Sequence, residues 1–162
     1  MKWNQIKKWL LMAVIQTVTV FLYFWGVRPV RGMFSEWAGR VIFNPDEAAG
    51  GFIQSVVREG ITIHTTYSLQ STELIFSYAP QFGFFFLIAV VGLNFLRPGG
   101  RIYLLLVLFH LFVEALSLGF SALAFNGISA GFIIADFLLQ YLSPLVSLSF
   151  ILFVLLKKKG KV

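Results

Sequence analysis

The sequence predicts an all-α membrane protein: four transmembrane helices with both termini cytoplasmic, plus a short extracytoplasmic amphipathic helix and a small β-hairpin or meander between helices one and two. Three observations predict it: four long apolar runs, a scarcity of charge, and the way the remaining charges are sorted. Of 162 residues, 58% are apolar and 12% charged, about half the roughly 25% charge of a soluble domain. A mean hydropathy of +0.83 leaves too little polar surface to cover a water-soluble globule of this size. A soluble enzyme, a disordered tail and a nucleic-acid module are thereby excluded, and the lipid bilayer is the first expected partner. With no Cys, the chain has no disulfide framework, no thiolate metal site and no Cys nucleophile.

A helix needs about 20 mostly apolar residues to cross a hydrocarbon core of roughly 30 Å. The runs 9–27, 80–96, 102–125 and 130–156 qualify. The first is too long for a signal-peptide core and lacks a following cleavage site, so it reads as a retained span. Chain 1–162 is then one integral membrane domain, with 28–79 as its extracytoplasmic segment.

Charge sets the orientation. Lys2, Lys7, Lys8, Arg97, Arg101, Lys157, Lys158, Lys159 and Lys161 are nine cations with no acid among them. The segment 28–79 instead carries four cations against five acids. The positive-inside rule puts both termini and the turn from Arg97 to Arg101 in the cytoplasm, and the chain in the inner (cytoplasmic) membrane. Lys157, Lys158 and Lys159 act as a stop-transfer anchor. Trp3, Trp9, Trp25 and Tyr103 stand at span ends, where amphipathic rings favour the interface. Pro98 cannot continue a helix and Gly99 and Gly100 are free to turn, while Asn126-Gly127 marks the reversal between spans three and four. Gly83, Ala89 and Gly92, with Ala115, Gly119 and Ala122, allow close helix approach.

In the outer segment, Met33, Phe34, Trp37, Val41 and Ile42 recur at helical spacing, with Glu36 and Arg40 on another face. That pattern predicts a short helix lying on the membrane surface, ended by Asn44-Pro45-Asp46. Ile61, Ile63, Thr65, Tyr67 and Leu69 alternate with Thr62, His64, Thr66, Ser68 and Gln70, a strand pattern. Residues 52–57 lead into it through Arg58-Glu59-Gly60, and 73–78 add a third strand. Ser68, Ser71, Ser77, His64 and Glu73 share this face of the protein without a nucleophile motif, and His64 reads as a solvated surface residue.

Intramembrane ionisable groups are the sharpest functional signal, each costing about 2.5–3.5 kcal/mol at mid-span on insertion scales. His110, Glu114, Ser117 and Ser121 form one helical stripe; Asp136, Gln140, Ser143 and Ser147 repeat it on span four. The stripes should face each other, with a rise of about 1.5 Å per residue setting Glu114 at the depth of Gln140 and Asp136 close to Ser117, and with Gln16, Thr17 and Thr19 completing the cluster from span one. Three readings stand. Glu114 is protonated and hydrogen-bonded to Gln140 as a structural pair; the stripe meets another membrane subunit; or it relays protons or ions, or holds a metal at His110, Glu114 and Asp136. His110 is also a possible axial ligand for haem or chlorophyll. Nothing in the spacing demands a cofactor, a metal or a catalytic residue, so none is expected, and other membrane subunits are the expected partners.

The layout resembles part of the exosortase/archaeosortase family and the small membrane proteins encoded with it. The likeness covers roughly 28–150: an outer helix, an outer β-rich stretch feeding a span, a basic turn, a further span, and Ala122-Leu-Ala-Phe-Asn126-Gly127-Ile128-Ser129, which looks like that family's Asn-Gly-x-Arg turn. The family's transpeptidase chemistry uses a Cys, an Arg and a His. Here the Cys stretch reads Phe76-Ser-Tyr-Ala-Pro-Gln81, Ser129 stands in the Arg place, and span four has no His. The resemblance therefore implies a non-catalytic relative or a sorting-associated accessory protein.

Because the chain lacks Cys, single Lys2→Cys and Lys157→Cys variants give clean topology probes. Both are expected to react with a membrane-impermeant maleimide only after the cell is opened. Labelling of one from outside would mean an odd number of crossings.

Overall fold

The computed structural model describes residues 3–42, 53–59, 62–69, 72–125 and 131–160. In chain order these form α1 (Trp3–Leu22), a π turn (Tyr23–Val27), α2 (Arg28–Val41), β1 (Ile53–Glu59), β2 (Thr62–Leu69), β3 (Thr72–Tyr78), α3 (Phe84–Leu96), α4 (Gly100–Phe125) and α5 (Gly131–Lys158). The expected turns at Asn44-Pro45-Asp46 and Asn126-Gly127, and Gly60 and Ser129, lie outside the described residues. So do the side chains of His64, Ser68, Glu73 and Ser77 and the whole of Ser71.

The chain is a membrane-embedded protein. Among the described residues three helices are long and apolar enough to cross a bilayer: 4–38, 100–123 and 134–158. Their outward faces are studded with exposed Leu, Val, Ile and Phe. The expected span 80–96 is different. It is helical only over the 13 residues Phe84–Leu96, about 20 Å at 1.5 Å per residue, against a core of roughly 30 Å. Residues 79–83 before it are non-helical backbone.

The expected surface helix is also different, because it does not begin anew. Leu22, Val27 and Arg28 all have right-handed helical dihedrals, so α1 runs through the π turn into α2. Pro29 explains the turn. A proline inside a helix lacks the N–H for the fourth carbonyl back and presses its ring on that carbonyl. Widening the backbone by one residue relieves this, and Arg28 N–H reaches the Tyr23 carbonyl five residues back. The three strands form one antiparallel sheet in the order β1-β2-β3, with a register shift between Ile53 and Ser55. The ladder sets His64 opposite both Val57 and Ser77, and α2 touches β2.

α4 packs along α5, α5 along α3, and α3 also meets α1. The core between α3, α4 and α5 is apolar at the end near the α3–α4 turn, where Ala89, Leu93, Leu106 and Val154 are buried. In that turn the left-handed residue is Arg97, at φ 49°, not one of the glycines. Its N–H still closes on the Leu93 carbonyl at 2.8 Å, so the cap is made at the cost of a disfavoured backbone. Beside the core, α3 and α5 approach closely at Gly92: a Cβ there would sit 2.6 Å from Cδ1 of Ile151 and 3.2 Å from Cγ1.

Gly92→Ala should therefore lower the thermal midpoint, by an overpacking cost of about 1–3 kcal/mol. Adding Ile151→Val removes the offending methyl, so the double variant should be more stable than Gly92→Ala alone. A double variant no better than the single would mean the helices separate there by another route.

Candidate functional site

The segment 79–83 is where the bundle's polar groups gather. Backbone buried inside a membrane protein has little water to bond, and each unpaired group costs several kcal/mol, so irregular backbone survives there only when protein satisfies it. Three helices supply the partners. Arg31 of α2 donates from Nε and Nη2 to the Pro80 carbonyl at 3.2 and 2.7 Å. Glu114 of α4 accepts the Gln81 backbone N–H on Oε2 at 2.5 Å and the Tyr78 hydroxyl on Oε1. Ser143 of α5 donates to the Gln81 side-chain oxygen at 2.7 Å. Tyr78, Gln81 and Glu114 are all buried. Burial, reinforced by the Glu114 carboxyl, pushes the Tyr78 phenol above its ordinary range, which keeps it a donor.

Phe82 closes the segment in the left-handed region, at φ 64°. That conformation is an outlier for a bulky residue and costs on the order of 1–3 kcal/mol. Its ring is held by Phe86, with centroids 4.9 Å apart, and by His110 at 5.3 Å. The aromatic contacts offset the backbone cost and pin the turn against α4.

Asp136 is the second focus. It is fully buried and joins α5 to α4: Ser117 donates to Oδ1, Ser121 to Oδ2 at 2.9 Å, and Gln140 to Oδ2 at 3.2 Å. Glu114 and Gln140 are thus not paired, correcting the expected structural pair. Equal depth on two helices did not make them neighbours, because the segment from β3 enters between and takes the Glu114 oxygens.

His110 is the third focus, with Nε2 2.9 Å from the Ser147 hydroxyl. Ser147 gives its one proton to the Ser143 carbonyl at 2.7 Å. The shared hydrogen therefore sits on His110 Nε2, and buried Nδ1 is an acceptor with no partner among the described residues. His110, Glu114 and Asp136 face three different partner sets. Among the described residues no group of three or more metal-ligating side chains converges.

Span one does not complete this cluster. Gln16 donates to the Val91 carbonyl at 3.0 Å, and Asn94 donates to Gln16 and Thr19 at 3.3 and 3.0 Å. Tyr103 donates to Asn94 at 2.9 Å. This separate knot ties α1 to α3 and α4, and Thr17 is exposed. Sequence reasoning missed Arg31, Tyr78, Gln81 and Asn94 as site residues. The available signals were Pro80-Gln81 at the head of a supposed span and an amide at position 94 within an apolar run.

Comparison with known proteins matches this chain to no family model, no curated protein and no solved structure.

Glu114→Gln retains one acceptor oxygen, and the Tyr78 hydroxyl can turn to meet the new amide, so unfolding in detergent should shift by less than about 1 kcal/mol. Glu114→Leu strands the Gln81 N–H and the Tyr78 O–H, each at about 1–3 kcal/mol. A Leu variant as stable as wild type would show that the carboxyl does not hold the segment.

Proposed function

We propose that the protein is a non-enzymatic accessory or structural subunit of a larger assembly in the cytoplasmic membrane, linked to the sorting or export of proteins at the cell envelope. In this reading it crosses four times with both termini cytoplasmic. The leg made of 79–83 and α3 serves as the second crossing, and the nine acid-free cations mark the inner face.

One observation carries the subunit reading. Counting from Trp9, the first 19 residues of the long helix already span about 28 Å, so α2 continues beyond the hydrocarbon. There it presents Met33, Trp37 and Val41, all at least half exposed, along one stripe. The opposite face buries Ser35 and Ala38 on the protein itself. An apolar stripe outside the oil, backed by a face already in use, is a surface for a partner. The carboxyls support a structural role, since both oxygens of Glu114 and of Asp136 accept bonds from this chain's own donors. The link to sorting draws on the layout shared with the exosortase family. A proton-handling alternative has one foothold, the unpaired Nδ1 of His110.

Purification in digitonin from native membranes tests this. Wild type should elute with partner chains in fixed ratio, and a Met33→Ser/Trp37→Ser variant should fold yet lose them. A strictly monomeric species without co-purifying chains, or partners retained by the double variant, overturns the reading.

A further inference from the structure

A cleft of about 480 Å³ lies between the long helix and the segment that carries Phe82, within the roughly 300–1,000 Å³ range of small-molecule sites. Val27, Val30 and Phe34 form one wall, and Phe82 and Leu111 the other. Leu22, Val30 and Leu111 on its rim are more than half exposed, so it opens on the outer surface of the bundle. At this depth that surface meets lipid. Gly26 lines it with open space beside its backbone, since a Cβ there would find nothing within 4 Å.

The polar groups at the cleft are unequal. Glu114 lines it, but both its oxygens are covered by Tyr78 and by the Gln81 backbone. Arg31 is fixed by its two bonds to Pro80, which leave Nη1 without a hydrogen bond among the described residues. Arg28 stands one turn earlier on the same helix, its guanidinium 5.8 Å from the Phe24 ring centroid. Neither arginine forms an ion pair among the described residues; the pair found there is Arg40 with Glu36. Arg31 thus lines a slot with apolar walls, just past the end of an apolar run, and Arg28 stands outside the lining on the neighbouring face of the same helix. Guanidinium groups suit phosphate oxygens in shape and charge.

We propose that this cleft binds an anionic phospholipid: one acyl chain lies between the apolar walls and the phosphate meets Arg31 and Arg28. The apolar stretch accounts for the chain, and Arg31, with Nη1 spare among the described residues, and the nearby Arg28 account for the headgroup. The inference stands apart from the accessory-subunit reading and survives its failure.

The test uses the full chain in micelles doped with equimolar phosphatidylglycerol and phosphatidylethanolamine, read by native mass spectrometry. Wild type should keep one phosphatidylglycerol in clear preference to phosphatidylethanolamine, and excess inorganic phosphate should not displace it. Arg28→Gln should weaken retention about fivefold, as expected for one interfacial cation. Gly26→Phe should fill the slot and abolish retention while the thermal midpoint stays near wild type. Arg31 is left intact because it also anchors Pro80. A wild type that keeps no phospholipid or shows no preference overturns the proposal. So does a folded Gly26→Phe variant that keeps the lipid undiminished, or displacement by phosphate alone.

Discussion

A peptide group shut away from water must find its hydrogen bond inside the protein, and that requirement organises this molecule. The helix Phe84–Leu96 is too short by itself to cross a bilayer. Residues 79–83 before it are non-helical, and their carbonyl and amide groups cannot bond along a helix of their own. Arg31, Glu114 and Ser143 reach in from three helices to meet Pro80 and Gln81. Glu114 on α4 and Ser143 on α5, costly if they faced lipid, follow from the irregular segment beside them, whereas the Asp136 and His110 sets bond within the α4–α5 pair. Remove the irregular leg and Glu114 would have no reason to be there.

The bundle is accordingly built in two ways along its length. Near the α3–α4 turn, Ala89, Leu93, Leu106 and Val154 pack without polar atoms, and Gly92 lets α5 come close. α3 is helical there and satisfies its own backbone, so packing holds it to α4 and α5, while the hydrogen bonds of Asn94 with Gln16, Thr19 and Tyr103 tie in α1. Toward the sheet, side-chain hydrogen bonds replace packing as the means of specifying position. Two local strains belong to this design: the π turn that accommodates Pro29, and the left-handed Phe82. Both lie on the walls of the same cleft, so the distortions that let the helices and the irregular leg fit together also shape the opening between them.

Much of this architecture is visible in the sequence, for a simple reason: length and hydropathy report directly on what can sit in oil. The long apolar helices are legible from runs of residues alone. What is not legible is where an apolar run stops being helical. Residues 80–83 adjoin a long apolar run with no break in chain pattern, and only Pro80 and Gln81 hint that the helix starts late. The same ambiguity misplaced Glu114. Rise per residue put it level with Gln140, but depth does not say which neighbour intervenes, and Tyr78 and Gln81 arrive from a strand end that no periodicity connects to α4. Asp136 and Ser117 meet because both lie on unbroken helices, where spacing is a reliable ruler. The continuity of α1 into α2 was hidden by Arg28-Pro29, which reads as a boundary until the widened turn is seen.

Whether a buried polar group holds a structure or performs chemistry depends on what bonding capacity it has left. Glu114 accepts two hydrogen bonds and Asp136 three, all from this chain. Such carboxyls cannot readily bind something new without releasing a contact that the fold uses. Two groups differ. His110 keeps the Nδ1 lone pair inside the bundle, and Arg31 keeps Nη1 beside a cleft open to lipid. The first is enclosed by Phe82, Phe86 and Phe109, so its reach is limited to what fits among rings. The second pairs a fixed positive charge with an apolar slot on the outer surface. Among the described residues, Arg31 carries spare capacity that faces a space on the outer surface, where a molecule from the bilayer can enter without unmaking the fold.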